Sequence, residues 1–244
     1  MTKADGTYLW SINQITDPSL SITTETAEAV DALGARIATF DRAKNAEFTA
    51  ENSLFDLGLF AAQQGKEKEI ASAEKMIEAP EMEIFDITAD MQSITLKHTP
   101  ITAPEEIFVL KGDGTMGTRY VSGDAASDTA FVYSDGVITL PTGLTAGQQV
   151  FVMYDYMASE AVAVTVDAVT FPRSGRFVME VLGTDVCDPS TLIHAYIVFL
   201  NAKLNADVDI TFTTEGTHPF TLQCQQAYCD KEKVLLRIVI PNED

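Results

Sequence analysis

The chain has 244 residues, 46% of them hydrophobic and 21% charged, so it is long enough to bury a large core without disulfides or metals. Sixteen Lys and Arg stand against 36 Asp and Glu, a formal net charge of −20 at pH 7. Such a surface disfavours tight binding to nucleic acids and anionic membranes, because both require clustered cations. The acidity fits either simple solubility or a surface past which a polyanion moves without sticking.

The compartment follows from the N-terminus, the apolar runs and the cysteines. No basic start is followed by an apolar run, so no secretory signal is expected. The longest apolar runs, near 192–200 and 234–240, are too short to cross a bilayer, and no membrane anchoring is expected. The protein is therefore expected in a cytosol, with Cys187, Cys224 and Cys229 reduced. A Cys224–Cys229 bridge is the less favoured alternative.

The first thirty residues are rich in Ser and Thr and lack a long periodic pattern, which is typical of an arm. Trp10, the only tryptophan, lies in this arm close to Tyr8. An aromatic cluster on a polar arm needs an apolar surface on which to dock. That surface belongs either to the same domain or to a neighbouring subunit.

A strand–turn–strand pattern and one helix follow the arm. Apolar residues alternate with polar ones on either side of a predicted turn at Asp41–Asn45. The spacing then predicts a helix over Ser53–Gln64, capped by Asn52 or Ser53 and ended by Gly65. A single amphipathic helix of this kind suits packing across one face of a sheet.

The segment from Lys66 to Glu83 is dense in charges of both signs. It fits a solvated loop or a short exposed helix. The alternative is a loop that orders only against another subunit, because mixed charges set register between partners. In that case Lys66, Glu67, Lys68 and Glu69 are candidate contact residues.

The rest of the chain reads as strands. Short β segments between glycine turns fill 107–170, and Asp135-Gly136 predicts a two-residue hairpin. Leu192–Leu204 reads as a long strand, and Val208, Ile210 and Phe212 alternate with polar residues. The expected fold is mainly β, an antiparallel sandwich or barrel with one packed α-helix and a small inserted β-subdomain. The expected domains are an arm at 1–30, a core at 31–97 and 160–244, and an insert at 98–159.

Catalytic, cofactor and metal sites are not indicated. The histidines that could act as neutral-pH bases are His98, His194 and His218, and they lie in no catalytic motif. No glycine-rich loop precedes a helix, as phosphate binding requires. The cysteine spacing is wrong for structural zinc, and the aspartates form no EF-hand loop. The sequence therefore predicts a protein that is not an enzyme, with no cofactor and no metal.

The order of elements resembles a known family. The stretch Gly34–Glu51, followed by the predicted helix and Gly65, looks like the strand–turn–strand–helix start of bacteriophage tail tube (major tail) proteins. Val208–Leu222 and Leu235–Ile240 are similar to their C-terminal strands. The resemblance covers somewhat under half of the chain.

The resemblance implies a structural virion protein in the phage tail, made in the host bacterial cytoplasm. Its subunits would form hexameric rings that stack around a lumen through which genome DNA passes without specific binding. Partners would be further copies and other tail proteins: terminator, tape measure, and baseplate or tip. Inter-subunit contacts would involve the arm, the charged segment and a sheet edge, represented by Trp10, Tyr8, Lys66, Glu67, Lys68, Glu69, Val208, Ile210 and Phe212.

Three other functions compete with this one. A head-decoration or neck protein of the virion also uses β-sandwiches with arms. A carbohydrate-binding module needs a flat aromatic platform on exposed strands, for which Tyr154 and Tyr156 are the local candidates. A hydrolase of unknown type ranks last.

Overall fold

The structure, a computed structural model, describes residues 1–3, 5–184, 192–213, 216–226 and 231–241. Strands account for 52% of the chain and helix for 3%, which confirms the predicted mainly-β class. The one helix described is α1 (Leu57–Gln63). The strands are β1 (Ile15–Val30), β2 (Arg36–Asn52), β3 (Glu69–Ile70), β4 (Ile77–Asp86), β5 (Ser93–Thr95), β6 (Glu106–Leu110), β7 (Met116–Ser122), β8 (Ala130–Ser134), β9 (Val137–Thr139), β10 (Gln149–Ala158), β11 (Val162–Ala163), β12 (Ser174–Thr184), β13 (Leu192–Leu204), β14 (His218–Cys224) and β15 (Leu236–Val239).

The chain divides into two compact units. The first comprises residues 1–68 and 164–244, and the second comprises 69–163. The short β3–β11 pair brings the two ends of the second unit together. The second unit is thus an insertion in the sequence of the first, and it is longer at its N-terminal side than the expected 98–159.

The first unit is built on one antiparallel sheet with the order β1-β2-β14-β13-β12, and β15 lies beside β13. Its core lies on one face of this sheet, where aromatic rings meet at normal packing distances. The ring of Phe48 lies 5.7, 5.9 and 6.1 Å from those of Phe177, Phe199 and Phe220. Trp10 adds a fifth ring, 5.8 Å from Phe177 and 5.7 Å from Phe220.

Helix α1 is shorter than the predicted Ser53–Gln64. The N-cap is Asp56, whose carboxylate accepts a hydrogen bond of 2.6 Å from the Leu59 N–H, and neither Asn52 nor Ser53 has that role. Asn52 is instead the last residue of β2. Gly65 ends the helix as predicted, because it takes the left-handed conformation (φ +69°) that closes the last turn.

The turn predicted at Asp41–Asn45 is wrong. Strand β2 runs without a break through these residues, because β1 pairs with it along its whole length. Arg42 has no direct partner on β1 and forms a β-bulge in β2. The turn of the hairpin lies at 31–35. Residues 15–30, expected as part of an arm, are therefore one strand of a long hairpin.

The strand predicted from the alternation of Val208, Ile210 and Phe212 is also wrong. Residues 205–213 form no strand, and β14 begins only at His218. Alternation indicates a strand only where a neighbour supplies hydrogen bonds, and none pairs with this segment within the described residues. The predicted long strand Leu192–Leu204 is confirmed as β13.

The second unit contains a sheet with the order β4-β10-β6-β7-β8-β9-β5, antiparallel except for the β7–β8 pair. Its core includes the fully buried Phe131, Ile138 and Val150. The predicted hairpin at Asp135-Gly136 is confirmed. Both residues have positive φ (48° and 83°), as a type I′ turn between β8 and β9 requires.

Candidate assembly surfaces

The distal half of the β1–β2 hairpin is exposed on both faces. In β2, alternate residues are buried from Ala46 to Asn52, whereas 36–45 contain no buried residue. Large apolar side chains are nevertheless present in this half, and Leu33 at the turn is 93% exposed. A two-stranded ribbon is only marginally stable in water. Exposed apolar surface of this kind is typical of an interaction site.

Two long strands leave their outer edges open. Among the described residues β1 pairs only with β2. Strand β12 pairs with β13, and a single bridge from Thr2 covers its other edge at Arg176. Open edges present unpaired N–H and C=O groups that can pair with another chain. The sheet is therefore able to extend at both sides.

The part of this sheet formed by β1, β2 and β14 is polar on the face opposite the core. Direct cross-strand pairing places Ser21, Glu47 and Gln223 in one row, and Lys203 continues that row on β13. The next row contains Ser19, Thr49 and Thr221. Hydroxyl, amide and carboxylate groups dominate these rows, and Lys203 is their one cation.

The two aromatic residues predicted as contacts, Trp10 and Tyr8, differ in their exposure to solvent. Trp10 is 3% exposed and belongs to the core of its own chain, which was one of the two alternatives. Its indole N–H has no hydrogen-bond partner among the described residues. Tyr8 is 62% exposed, and its hydroxyl donates to Ser11 Oγ at 2.5 Å. Of the two, only Tyr8 offers surface to a neighbour.

The charged segment after α1 is partly tied to the first unit. The Lys66 ammonium pairs with Asp167, and this contact is the largest cause of the lowered pKa of Asp167. Lys3 lies 2.5 Å from Glu67 and lowers the pKa of that carboxyl. Lys68 is exposed, and Glu69 belongs to β3. These contacts leave the outer sides of Glu67 and Lys68 accessible.

The three apolar residues of the 205–213 segment lie in different environments. Val208 and Ile210 are half-buried, whereas Phe212 is 78% exposed. The Phe212 ring lies 5.5 Å from that of Phe55, which also stacks on His218 at 5.4 Å. Phe212 therefore presents an aromatic surface near the N-terminus of α1.

The histidines occupy separate structural positions. His218 is fully buried, donates from Nε2 to Gln63 Oε1 at 2.8 Å and accepts at Nδ1 from the Asp56 N–H at 3.2 Å. His194 pairs with Glu180 at 2.8 Å. His98 stacks on Tyr156 with ring centroids 3.9 Å apart. No pair of histidines among the described residues shares a site.

The aromatic platform expected for carbohydrate binding is not formed by Tyr154 and Tyr156. Tyr154 is 5% exposed, and its hydroxyl donates to Glu83 at 2.6 Å. Burial and this hydrogen bond raise the pKa of Tyr154. Tyr156 is half-buried under His98.

Within the described ranges, no three His, Cys, Asp or Glu side chains come together as a metal site would require. No helix in the same ranges has the length and apolar character of a membrane span. Cys224 is a free, half-buried thiol whose pKa burial raises to about 11. Cys187, Cys229 and the alternative Cys224–Cys229 bridge lie outside the described residues.

Sequence reasoning missed the exposed hairpin. Its apolar residues include Ile37 and Phe40, 68% and 59% exposed. The missed signal was the pairing of two long β-prone segments, Ile15–Val30 and Arg36–Asn52, across the short turn Asp31–Ala35.

No curated protein matches the chain. The sequence model of the YomU/Tube protein family matches residues 1–236, so the chain belongs to this family of phage tail tube proteins.

Proposed function

We propose that the chain is the subunit of a phage tail tube, in which hexameric rings stack around a lumen that conducts DNA. The observation that carries this proposal is the six-stranded sheet, with two open edges and a hairpin exposed on both faces. Such a sheet is incomplete as a monomer, because its backbone edges and apolar ribbon lack partners.

Ring closure uses the two open edges. In this proposal β1 of one subunit pairs with β12 of the next, and six sheets join into one barrel without free edges. The interface is heterologous, and it closes when the rotation per subunit divides a full turn. The charge of −20 per chain repels neighbours, so the contacts depend on strand pairing and apolar burial.

In this proposal the polar β1, β2 and β14 part of the sheet face lines the lumen. The rows around Glu47 and Thr49 carry hydroxyl, amide and carboxylate groups with Lys203 as their one cation. A polyanion gains little on such a wall, because it releases few counterions there. DNA therefore passes without specific binding, and no catalytic residue, cofactor or metal takes part.

Contacts between rings use the exposed predicted residues and the hairpin. Tyr8, Glu67, Lys68 and Phe212 present accessible side chains in the first unit. The ends of the tube bind other tail proteins, namely the terminator, the tape measure and the baseplate or tip. The protein is made in the bacterial cytoplasm and resides in the virion tail.

Light scattering against ionic strength tests this proposal. Salt screens the repulsion between chains of charge −20, so the scattered intensity of purified protein rises as salt is raised. The increase depends on concentration, as expected for self-association. A chain that stays monomeric at every salt and protein concentration contradicts the proposal. Discrete caps in place of tubes support a head-decoration or neck protein.

A further inference from the structure

The sheets of the two units differ in how their edges are built. In the second unit one edge is β5, which has only 3 residues. The other edge is β4, which carries Pro80 together with Glu78, Glu81 and Glu83. Short strands, proline and charged side chains all disfavour the pairing of an edge with another chain. The sheet of the second unit is therefore protected against extension.

The outer strands of the first unit lack this protection over two segments of equal length. Ser19–Glu25 of β1 pairs with β2 without a register shift, and Val178–Thr184 of β12 pairs with β13 in the same regular way. Neither segment contains proline or a cation, and each has a single charged residue, Glu25 and Glu180. Among the described residues no strand pairs with the outer side of either segment. We call these segments the β1 edge and the β12 edge.

The backbone groups offered by the β12 edge follow from one contact. Arg176 and Thr2 exchange hydrogen bonds of 2.8 and 2.9 Å on the side of β12 that faces away from β13. Because the direction of the N–H and C=O groups alternates along a strand, every second residue from Val178 to Thr184 also points these groups outward. The contact with Thr2 therefore marks the residue beyond which β12 is free to pair.

Strand direction determines how the two edges meet in a ring. The path β1-β2-β14-β13-β12 contains only antiparallel pairs, and it has an odd number of strands, so β1 and β12 run in the same direction. Rotation about the axis of a barrel leaves the direction of a strand along that axis unchanged. The β1 edge of the next subunit therefore runs parallel to the β12 edge. An antiparallel contact would invert alternate subunits and produce a ribbon in place of a ring.

Side-chain alternation is consistent with one alignment of the edges. On the core side of the sheet, Ile22 at one edge is 57% exposed and Val181 at the other is 39% exposed. Parallel alignment of the two edges over their full length places Ile22 beside Val181 and Leu20 beside Met179. This arrangement covers apolar surface of both subunits. A slip by one residue would put the paired side chains on opposite faces.

We propose that the β12 edge of one subunit and the β1 edge of the next form a parallel seam, in which Val178 lies beside Ser19 and Leu182 beside Thr23. This inference rests on the proposed tube and specifies the direction and register of the contact within its rings. Parallel pairs are slightly less stable per residue than antiparallel ones. The seam is thus weaker than the strand pairs within a subunit, which suits assembly that depends on concentration and salt.

Photo-crosslinking from two positions measures the direction of the seam. A benzophenone amino acid replaces Val178 in one full-length variant and Leu182 in another, at side chains that are 37% and 60% exposed and lie on the face opposite the core. Each variant is mixed with isotopically labelled wild-type chain and assembled at raised salt. Four residues of a strand separate the probes by roughly 13 Å, so their contacts are distinguishable.

Tandem mass spectrometry then locates the crosslinks to the labelled chain. The probe at position 178 is expected to join near Ser19, and the probe at position 182 near Thr23. An antiparallel contact reverses this order, so that the crosslink moves toward the N-terminus of β1 as the probe moves from 178 to 182. That order, or assembled material without crosslinks to β1, overturns the inference.

A proline on the β12 edge supplies the second readout. Leu182→Pro removes an outward N–H and leaves the pairing of β12 with β13 intact, so assembly at a given concentration is expected to fall at least about tenfold. Leu182→Ala is the matched control, because it shortens the side chain and keeps the N–H. Circular dichroism of the unassembled variants verifies that the sheet is retained. Equal assembly of the two folded variants overturns the inference.

The outcomes separate this inference from the proposed function. Tubes that form while the crosslinks show an antiparallel contact, or none between β12 and β1, overturn the inference and leave the tube itself standing. A wild-type chain that never assembles overturns both.

Discussion

Gly65 is a residue that the fold of the first unit requires. Its φ of +69° lies in the left-handed region, and a Cβ there would lie 2.2 Å from the carbonyl oxygen of Phe171. The glycine therefore permits both the end of α1 and the close approach of the 171–172 backbone. Both effects oppose any side chain at this position.

Gly65→Ala is expected to destabilise the first unit by roughly 1–3 kcal/mol from backbone strain alone, with the clash adding to this. Gly34→Ala is the matched control, since Gly34 also has positive φ (+81°) but has open space around it. Its expected cost is about 1 kcal/mol. Urea unfolding followed by fluorescence of the single tryptophan, Trp10, measures both. Equal costs would contradict the role of the Phe171 contact.

His218 connects α1 to β14 as a neutral imidazole. Burial lowers its pKa below the usual 6.5, and the nearby Asp56 charge offsets this only in part. Protonation would place a proton on Nδ1, which accepts from the Asp56 N–H. The charged form therefore costs a hydrogen bond as well as desolvation.

The stability of the first unit is expected to fall as pH drops below about 6.5, the ordinary histidine pKa. Because the pKa is lower in the folded than in the unfolded chain, the unfolded chain binds more protons in this window. The contribution is complete above pH 6.5 and is lost as pH falls toward the lowered pKa. His218→Gln should flatten this slope in urea titrations from pH 8 to pH 5. An unchanged slope in His218→Gln would refute the assignment.

At the scale of elements, the β1–β2 hairpin divides into two parts. Its proximal part packs through Phe48 and Ala50 in the core, and its distal part is exposed. The core therefore does not need residues 25–43. Assembly, in contrast, is expected to depend on them.

A chain in which Thr24 is joined to Lys44 through Asn-Gly is expected to fold, because these residues face each other in the register and Asn-Gly favours a tight hairpin turn. This chain is expected to stay monomeric under conditions in which the wild type assembles. Sedimentation velocity measures the difference, and Trp10 fluorescence verifies the core. Tubes of normal length from the shortened chain would show that the hairpin has no part in assembly.

The elements were predictable where local signals and tertiary pairing agree. Asp135-Gly136 specifies its turn through backbone conformation alone, and Gly65 specifies a helix end in the same way. The turn at Asp41–Asn45 was predicted wrongly, because polar residues within an exposed strand look like a turn until β1 is known to pair with them. The alternation of apolar residues in Val208–Phe212 predicted a strand, but no described strand pairs with this segment.

The candidate contacts were predictable only in part. Tyr8 lies on the surface as an arm contact would, but neighbouring Trp10 fills a gap among the phenylalanines of the core. The difference in burial between Tyr8 and Trp10 is not visible in the sequence, because the core that buries Trp10 is built from strands far away in the chain. The exposed methionine pair Met82–Met153 depends likewise on the pairing of β4 with β10, which no local pattern indicates.

At the scale of the molecule, the net charge of −20 and the polar wall of the sheet both disfavour binding to DNA. Replacing Glu47 and Glu51 by Lys places cations on that wall and should create DNA binding that weakens with salt, with a slope of roughly one per phosphate contact. Fluorescence anisotropy with a labelled duplex measures this for assembled material. Control substitutions with the same change in charge, Glu74→Lys and Glu78→Lys, lie in the second unit. Equal DNA binding by both pairs would contradict a lumen position for the wall.

In the proposed tube, the six-stranded sheet is completed by joining copies of the chain. Electron microscopy of the purified protein at raised ionic strength tests this self-assembly. Hollow tubes whose end-on averages have six-fold symmetry are expected. Particles that remain single chains across all salt and protein concentrations would contradict it.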